Sequence, residues 1–234
     1  MKQTNMEDNR PMTFVKKILI KIISFRIERI NRNNRARLTN TSPTLICPSC
    51  IGGFIYHWLG LQFRSPFINL FMENDDFITA MENFDEFFAS PLVEDKSGLY
   101  EYPVGLGAHG ERIHFLHYRD FATAVEAWNR RKARIDKSNM AVILSNLGCG
   151  IEGKGKSREE VYRGKAAAVE RFNRLPFKNK LIFSDEDIKL PGVVYFKHYK
   201  SYPQYDLFRL DRRSFLRRYI DRFDYVGFIN SLGA

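Results

Sequence analysis

Cysteine is scarce. Cys47, Cys50 and Cys149 are three of 234 residues, too few for the disulfide framework of a secreted domain, and their odd number points to a reducing compartment. No second pair accompanies Cys47-Pro48-Ser49-Cys50, so a four-ligand structural zinc is not expected and no metal set is assigned. No apolar run is long enough to span a membrane. The nearest, "FVKKILIKIISF", is interrupted by Lys21 and lacks a small-residue cleavage site, so it does not read as a signal peptide. Neither G-x-G-x-x-G nor a P-loop occurs. Acidic residues are short only at one end: residues 1–43 hold ten Lys/Arg against three Asp/Glu, whereas the remaining 191 hold 27 against 24. A nearly balanced body argues against nucleic acid as a partner, because such binding normally needs a basic face on the folded part.

What is present describes a folded, enzyme-sized protein: 44% hydrophobic, 14% aromatic and 27% charged residues are globular proportions. From Thr13 to about Ile30, apolar residues at helical spacing alternate with Lys16, Lys17, Lys21, Arg26 and Arg29. This predicts a basic amphipathic helix that either lies on an anionic membrane surface or packs on the body. A polar linker ends at Pro43.

The body then alternates strands and helices. Thr44–Cys47 is an expected strand, followed by a helix from Gly52 to Leu59 closed by Gly60. A helix is expected over Phe77–Phe88 with Phe77, Met81, Phe84 and Phe88 as its core stripe. "RIHFLHY" reads as a buried strand, and Asp120 caps a helix over Phe121–Ile135. "MAVILSN" is an apolar strand, and Ser157 with Glu160 forms a capping box for a helix ending near Asn173. "NKLIFSD" and "GVVYFKH" are further strands, and Asp211 onward reads as helical in two pieces. This order predicts a parallel-sheet α/β fold. "LICPSCIGG" and "AVILSNLGCG" echo each other as strand, Ser, Cys and glycines, which suggests two related Rossmann-like halves, 44–137 and 138–234, behind an arm and linker at 1–43. A cleft between the halves is the expected binding site.

Each chemistry-bearing feature has a plainer alternative. Cys47-x-x-Cys50 lies where a helix dipole activates thiols, but Cys47 belongs to the strand and Gly52-Gly53 move the helix start past both sulfurs. Buried, inert cysteines are therefore expected. Gly52 and Gly53 allow close backbone approach to a phosphate or carboxylate, or serve packing alone. His114 and His117 point to opposite faces of their strand and cannot share a metal. His117 stands at the carboxyl end, as an acid/base candidate or a structural histidine. Asp185 and Asp187 follow a strand and could hold a divalent ion, with capping and surface charge the favoured alternative. The arginines from Arg209 to Arg222 describe a solvated helix face from which one or two side chains could reach a phosphate.

The segments "SCIGGFIYHWLGLQFRSPFINLF", "YPVGLG", "IHFLHY" followed by "AVEAWNRRKARI", "RFNRLPFKNKLIFS" and "DRFDYVGFIN" occur in this order across residues 44–230. Together they resemble a bacterial family of uncharacterised domains labelled exopolysaccharide biosynthesis proteins. The resemblance implies an α/β fold and a first turn of the form Asn-Cys-x-Gly-Gly, here Ser49-Cys50-Ile51-Gly52-Gly53. Cys47, Asp185 and Asp187 fall outside that pattern.

The expected function is a glycosyltransferase-like transferase of surface-polysaccharide synthesis, acting in the cytoplasm or on the inner membrane face upon a nucleotide-sugar or glycolipid. His117 is its acid/base candidate, and Ser49, Cys50, Gly52, Gly53, Asn146, Gly148 and Ser184 are its ligand-binding candidates; no cofactor is singled out. Two alternatives stand beside it: a non-catalytic assembly or regulatory subunit, and a polymer-modifying acyl or phosphoryl transferase. Absence of a polar cleft favours the first alternative; a nucleophile paired with His117 favours the second.

Overall fold

A computed structural model describes residues 14–148, 155–197, 207–211 and 217–233. Residues 1–13, Cys149 and Gly150 of the second glycine turn, and Arg212 and Arg213 lie outside them. The fold is α/β. Strands β1 (Thr44–Ile46), β5 (Met140–Asn146), β6 (Lys180–Ser184) and β7 (Val193–Tyr195) form a parallel sheet in the order β1-β5-β6-β7. Leu45 lies opposite Ala141, and Asn146 opposite Ser184. The sheet takes one strand from the 44–137 segment and three from beyond it. β1 and β5, the strands that open the two echoing stretches, are therefore immediate neighbours and, being parallel, end on the same side of the sheet.

Strand periodicity divides the core in two. Met140, Val142 and Leu144 join Ile46 and Ile182 on one face, while Ala141 and Ile143 join Leu45, Cys47, Leu181 and Phe183 on the other. A strand apolar at every position must be covered on both sides. The first face is covered by α3 (Asn74–Glu82), α4 (Phe84–Ala89), α5 (Phe121–Lys132) and α6 (Arg158–Asn173). The second is covered by α2 (Cys50–Leu59) and α7 (Tyr225–Asn230). Each aliphatic or aromatic side chain buried in these layers contributes roughly 1.5–3 kcal/mol before conformational entropy is subtracted.

Local signals hold at most element ends. Asp120 caps α5 by accepting from the Thr123 N–H at 2.8 Å, and both halves of the Ser157–Glu160 capping box are formed. Gly60 closes α2 in the left-handed region at φ 68°, which a glycine adopts without steric cost.

The basic helix continues past Ile30 to Arg37, through the first part of the expected linker, and three further boundaries differ from expectation. First, α2 starts at Cys50, not after it, because the extended Ser49 takes the N-cap position. Gly52 and Gly53 lie within the helix, where the missing side chain of Gly52 lets it approach the Cys47 Cβ. Second, the expected helix over 77–88 is two helices broken at Asn83, whose side-chain amide donates to the Thr79 carbonyl at 3.0 Å and caps α3. The stripe of Phe77, Met81, Phe84 and Phe88 is nonetheless buried. Third, "RIHFLHY" yields only the strand β4 (Arg112–His114). With β2 (Val93–Glu94) and β3 (Val104–Leu106) it forms a separate antiparallel sheet. His117 lies past its end, in a turn.

The remaining helix, α1 (Phe14–Arg37), is attached by its second half. Arg35 donates to the Trp58 carbonyl at 2.9 Å, Asn34 to the Tyr225 hydroxyl at 2.8 Å, and Arg218 to Asn31 at 2.8 Å.

Candidate functional site

A polar cleft opens at the carboxyl ends of β1 and β5, the end at which parallel α/β sheets bind ligands. Its walls are Pro48 and Ser49 after β1, residues 71–75 leading into α3, Ser145, Leu147 and Gly148 at the end of β5, and Lys156 to Ala168 on and before α6. The 71–75 wall is suspended by backbone bonds: Met72 donates to the Pro48 carbonyl at 3.0 Å, and Phe71 exchanges two bonds with His114. The antiparallel sheet thus holds one side of a site that lies on the parallel one.

A hydrogen-bond network forms the back of this cleft. Asn74 donates to Asn146 Oδ1 at 2.8 Å, and Asn146 Nδ2 donates to the Lys165 carbonyl at 3.2 Å. The Lys165 ammonium pairs with Asp185, whose second carboxylate oxygen accepts from the Gly148 N–H at 2.9 Å. Gly148 makes that bond from the left-handed region, φ 66°, where a side chain would be strained. Ser145 Oγ is buried in the cleft wall and has no hydrogen-bond partner among the described residues. A hydroxyl in that state can both donate to and accept from a bound polar group.

A second constellation begins one residue beyond the cleft-lining Ser49. Cys50 Sγ lies 3.7 Å from His117 Nε2. Cys50 is the first residue of α2 and half-buried; His117 is exposed. A helix N-terminus favours negative charge, and a thiol in hydrogen-bond reach of an imidazole is the arrangement by which a base generates a thiolate. Cys47 is the contrast. Fully buried, with burial pushing its thiol up to about 11, it stays protonated at neutral pH.

The other expected residues have different surroundings. A Cβ added at Gly52 would stand 3.2 Å from the Cys47 Cβ, and one at Gly53 would stand 3.7 Å from the Ile68 side chain; neither glycine lines the cleft. Ser184 is closed into its own turn, donating to the Glu186 carbonyl and accepting from the Glu186 N–H. Asp185 is engaged by Lys165 and Gly148, and Asp187 by Lys189. Arg218 is buried over the Trp58 ring and paired with Asp221; Arg222 pairs with Asp211.

The sequence alone does not single out Lys165, Asn74 or Ser145. Lys165 carries a signal even so: with Ala168, Val169 and Phe172 it completes an i, i+3, i+4, i+7 stripe, and a lysine in an apolar stripe must find a partner. Ser145 and Asn74 carry none, since polar residues at element ends are ordinary.

The family model described as Domain of unknown function (DUF1919) matches residues 21–230. A Haemophilus influenzae protein described as uncharacterized is 33% identical over 206 residues, spanning 86% of this chain and 90% of the relative.

Proposed function

This chain belongs to the DUF1919 family, and from its geometry we propose that it is a transferase that acylates a surface polysaccharide or its precursor. The observation that carries this reading is the Cys50–His117 pair at the start of α2. Cys50 gives its proton to His117 and the thiolate attacks the carbonyl of an acyl thioester. The donor's carbon–sulfur bond breaks, and the departing thiolate takes the proton from His117. An acceptor hydroxyl then attacks the acyl-cysteine, with His117 removing its proton and returning it to the Cys50 sulfur. Backbone N–H groups at the helix start favour the oxyanion in both steps.

The cleft supports a sugar-like acceptor. Its cavity volume is about 120 Å³, the scale of one small ring, against roughly 300–1,000 Å³ for sites that enclose drug-sized ligands. Its ionic lining is also unsuited to a bare polyanion: Glu73, Asp75 and Glu160 line it together with Lys156, while the charge of Lys165 is offset by Asp185. Polar walls around a ring-sized space favour neutral hydroxyls and support a ligand-binding protein over a purely scaffolding subunit. The assignment of the acceptor to surface polysaccharide rests on the resemblance of the sequence segments.

Glycosyl transfer is the second reading, favoured by the location of the cleft at the carboxyl ends of parallel strands. It requires a sugar unit in the cleft with the rest of its donor outside, and it needs no cysteine. Incubation with acyl thioesters of pantetheine, followed by intact-mass and peptide analysis, separates the two. The acyl reading expects a mass gain on Cys50 that is absent in Cys50→Ser and about 10²–10⁴-fold slower in His117→Gln. A Cys50→Ser protein that still transfers sugar from a nucleotide-sugar, with no thioester loading in the wild type, would reject it.

A further inference from the structure

α1 carries two apolar stripes, and the body uses one. Ile23, Ile27 and Ile30 are half-buried, on the side where Asn31 and Asn34 bond to Arg218 and Tyr225. Ile18, Ile22 and Phe25, at i, i+4 and i+7, share the opposite side of a helix with 3.6 residues per turn. They are 42%, 49% and 71% exposed. With Leu19 and Ile20 they make up five of the eleven large exposed hydrophobic residues among those described. Such a concentration on one short stretch marks an interaction surface. Along the same side, Lys21 lies between the apolar residues, and Arg29 and Arg32 continue it at i+4 and i+7 from Phe25.

We propose that this outward face of α1 docks the protein on an anionic lipid surface, with Ile18, Ile22 and Phe25 entering the headgroup boundary and Lys21, Arg29 and Arg32 meeting the lipid phosphates. Charge selects this occupant. Among Phe14–Arg37 there are eight Lys/Arg and one acidic residue, Glu28, which is paired with Arg35. Arg37 is likewise paired, with Asp224 of the body. A second copy of the helix would bring the remaining cations together with no acidic partner between them, whereas an anionic bilayer complements those on the outward face. α1 lies on the surface and does not cross it, since no helix among the described residues is long and apolar enough to span a membrane. Attachment of its second half to α2 and α7 then fixes the body's orientation towards the lipid.

The test is flotation of the full chain with vesicles of phosphatidylcholine alone and of phosphatidylcholine with about 30% phosphatidylglycerol. Binding is expected only to the second, and it weakens as salt is raised. Each cation removed should lower the partition coefficient about fivefold, so Arg29→Glu/Arg32→Glu should lose more than about 25-fold. Ile22→Glu/Phe25→Glu should lose binding while its thermal melt is kept, since both side chains face solvent. The proposal is overturned if wild type ignores anionic vesicles, or if the Ile22→Glu/Phe25→Glu protein binds them equally. It is also overturned if sedimentation shows a dimer that this double substitution dissociates while wild type floats with neither vesicle, which would assign the face to a second copy.

Discussion

Replacing Lys165 by Met tests the network behind the cleft. The Lys165 and Asp185 side chains are 7% and 13% exposed and form an ion pair. Removing the ammonium leaves the carboxylate with the Gly148 N–H in a setting that water barely reaches. Breaking one side of a buried pair typically costs about 3–5 kcal/mol, because the surviving charge is uncompensated. That is a large part of the roughly 5–15 kcal/mol by which domains are stable. Lys165→Met should therefore lower the melting temperature by on the order of 10 °C. The companion Lys165→Met/Asp185→Asn removes both charges and retains an amide oxygen for Gly148. It should recover at least about 2 kcal/mol relative to Lys165→Met alone, a coupling within the range found for residues in contact. Urea unfolding followed by the fluorescence of Trp58 and Trp128, both buried, measures each term. A Lys165→Met cost below about 1 kcal/mol, or a double variant less stable than the sum of its singles, would refute the claim that the pair is a desolvated, mutually dependent unit.

His114 predicts a pH dependence of stability. Burial first, and the Arg112 charge second, push its pKa from 6.5 down to about 4, so the folded protein resists a proton that the unfolded chain accepts. The stability is present above pH 6.5 and is lost as pH falls towards 4, by up to about 3 kcal/mol; His114→Phe should flatten this slope in urea titrations, and an unchanged slope would refute it. Arg218 donates to Asp221 through Nε and Nη2, reaches Asn31, and lies 3.8 Å from the centre of the Trp58 ring. Arg218→Met should cost about 3–5 kcal/mol and speed hydrogen exchange across residues 31–37. Arg218→Lys should not rescue it, because an ammonium cannot reproduce the planar fork; full rescue by lysine would show that charge alone matters.

The predictions rest on features of unequal visibility in the sequence. "MAVILSN" announces a strand because every position from Met140 to Leu144 is apolar, and it forms the centre of the parallel sheet. The Ser157–Glu160 box marks the start of α6 because capping is a bond between residues three apart. The break at Asn83 is hidden by an apolar stripe that continues unbroken through it, while the deciding interaction is one polar side chain folding back on Thr79. Likewise "RIHFLHY" has the composition of a strand throughout, yet the strand ends at His114: Phe115 still donates to the Pro103 carbonyl, but Pro103 has no N–H to return.

Of the candidate site, residue types could be nominated but partners could not. Cys50 and His117 each stand out alone; their approach depends on a helix start and a turn 67 residues apart. Lys165 and Asp185 meet because β6 runs parallel to β5 and α6 crosses between them. Periodicity and bonds within a few residues suffice to establish the α/β class, most strands and caps and the basic arm, and all of these are readable along the chain. Packing alone makes the ends of β1 and β5 neighbours, buries one thiol while bringing the other to an imidazole, and leaves α1 with a second apolar face uncovered. These outcomes depend on which surfaces exclude water from one another, and that is a property of the folded chain as a whole.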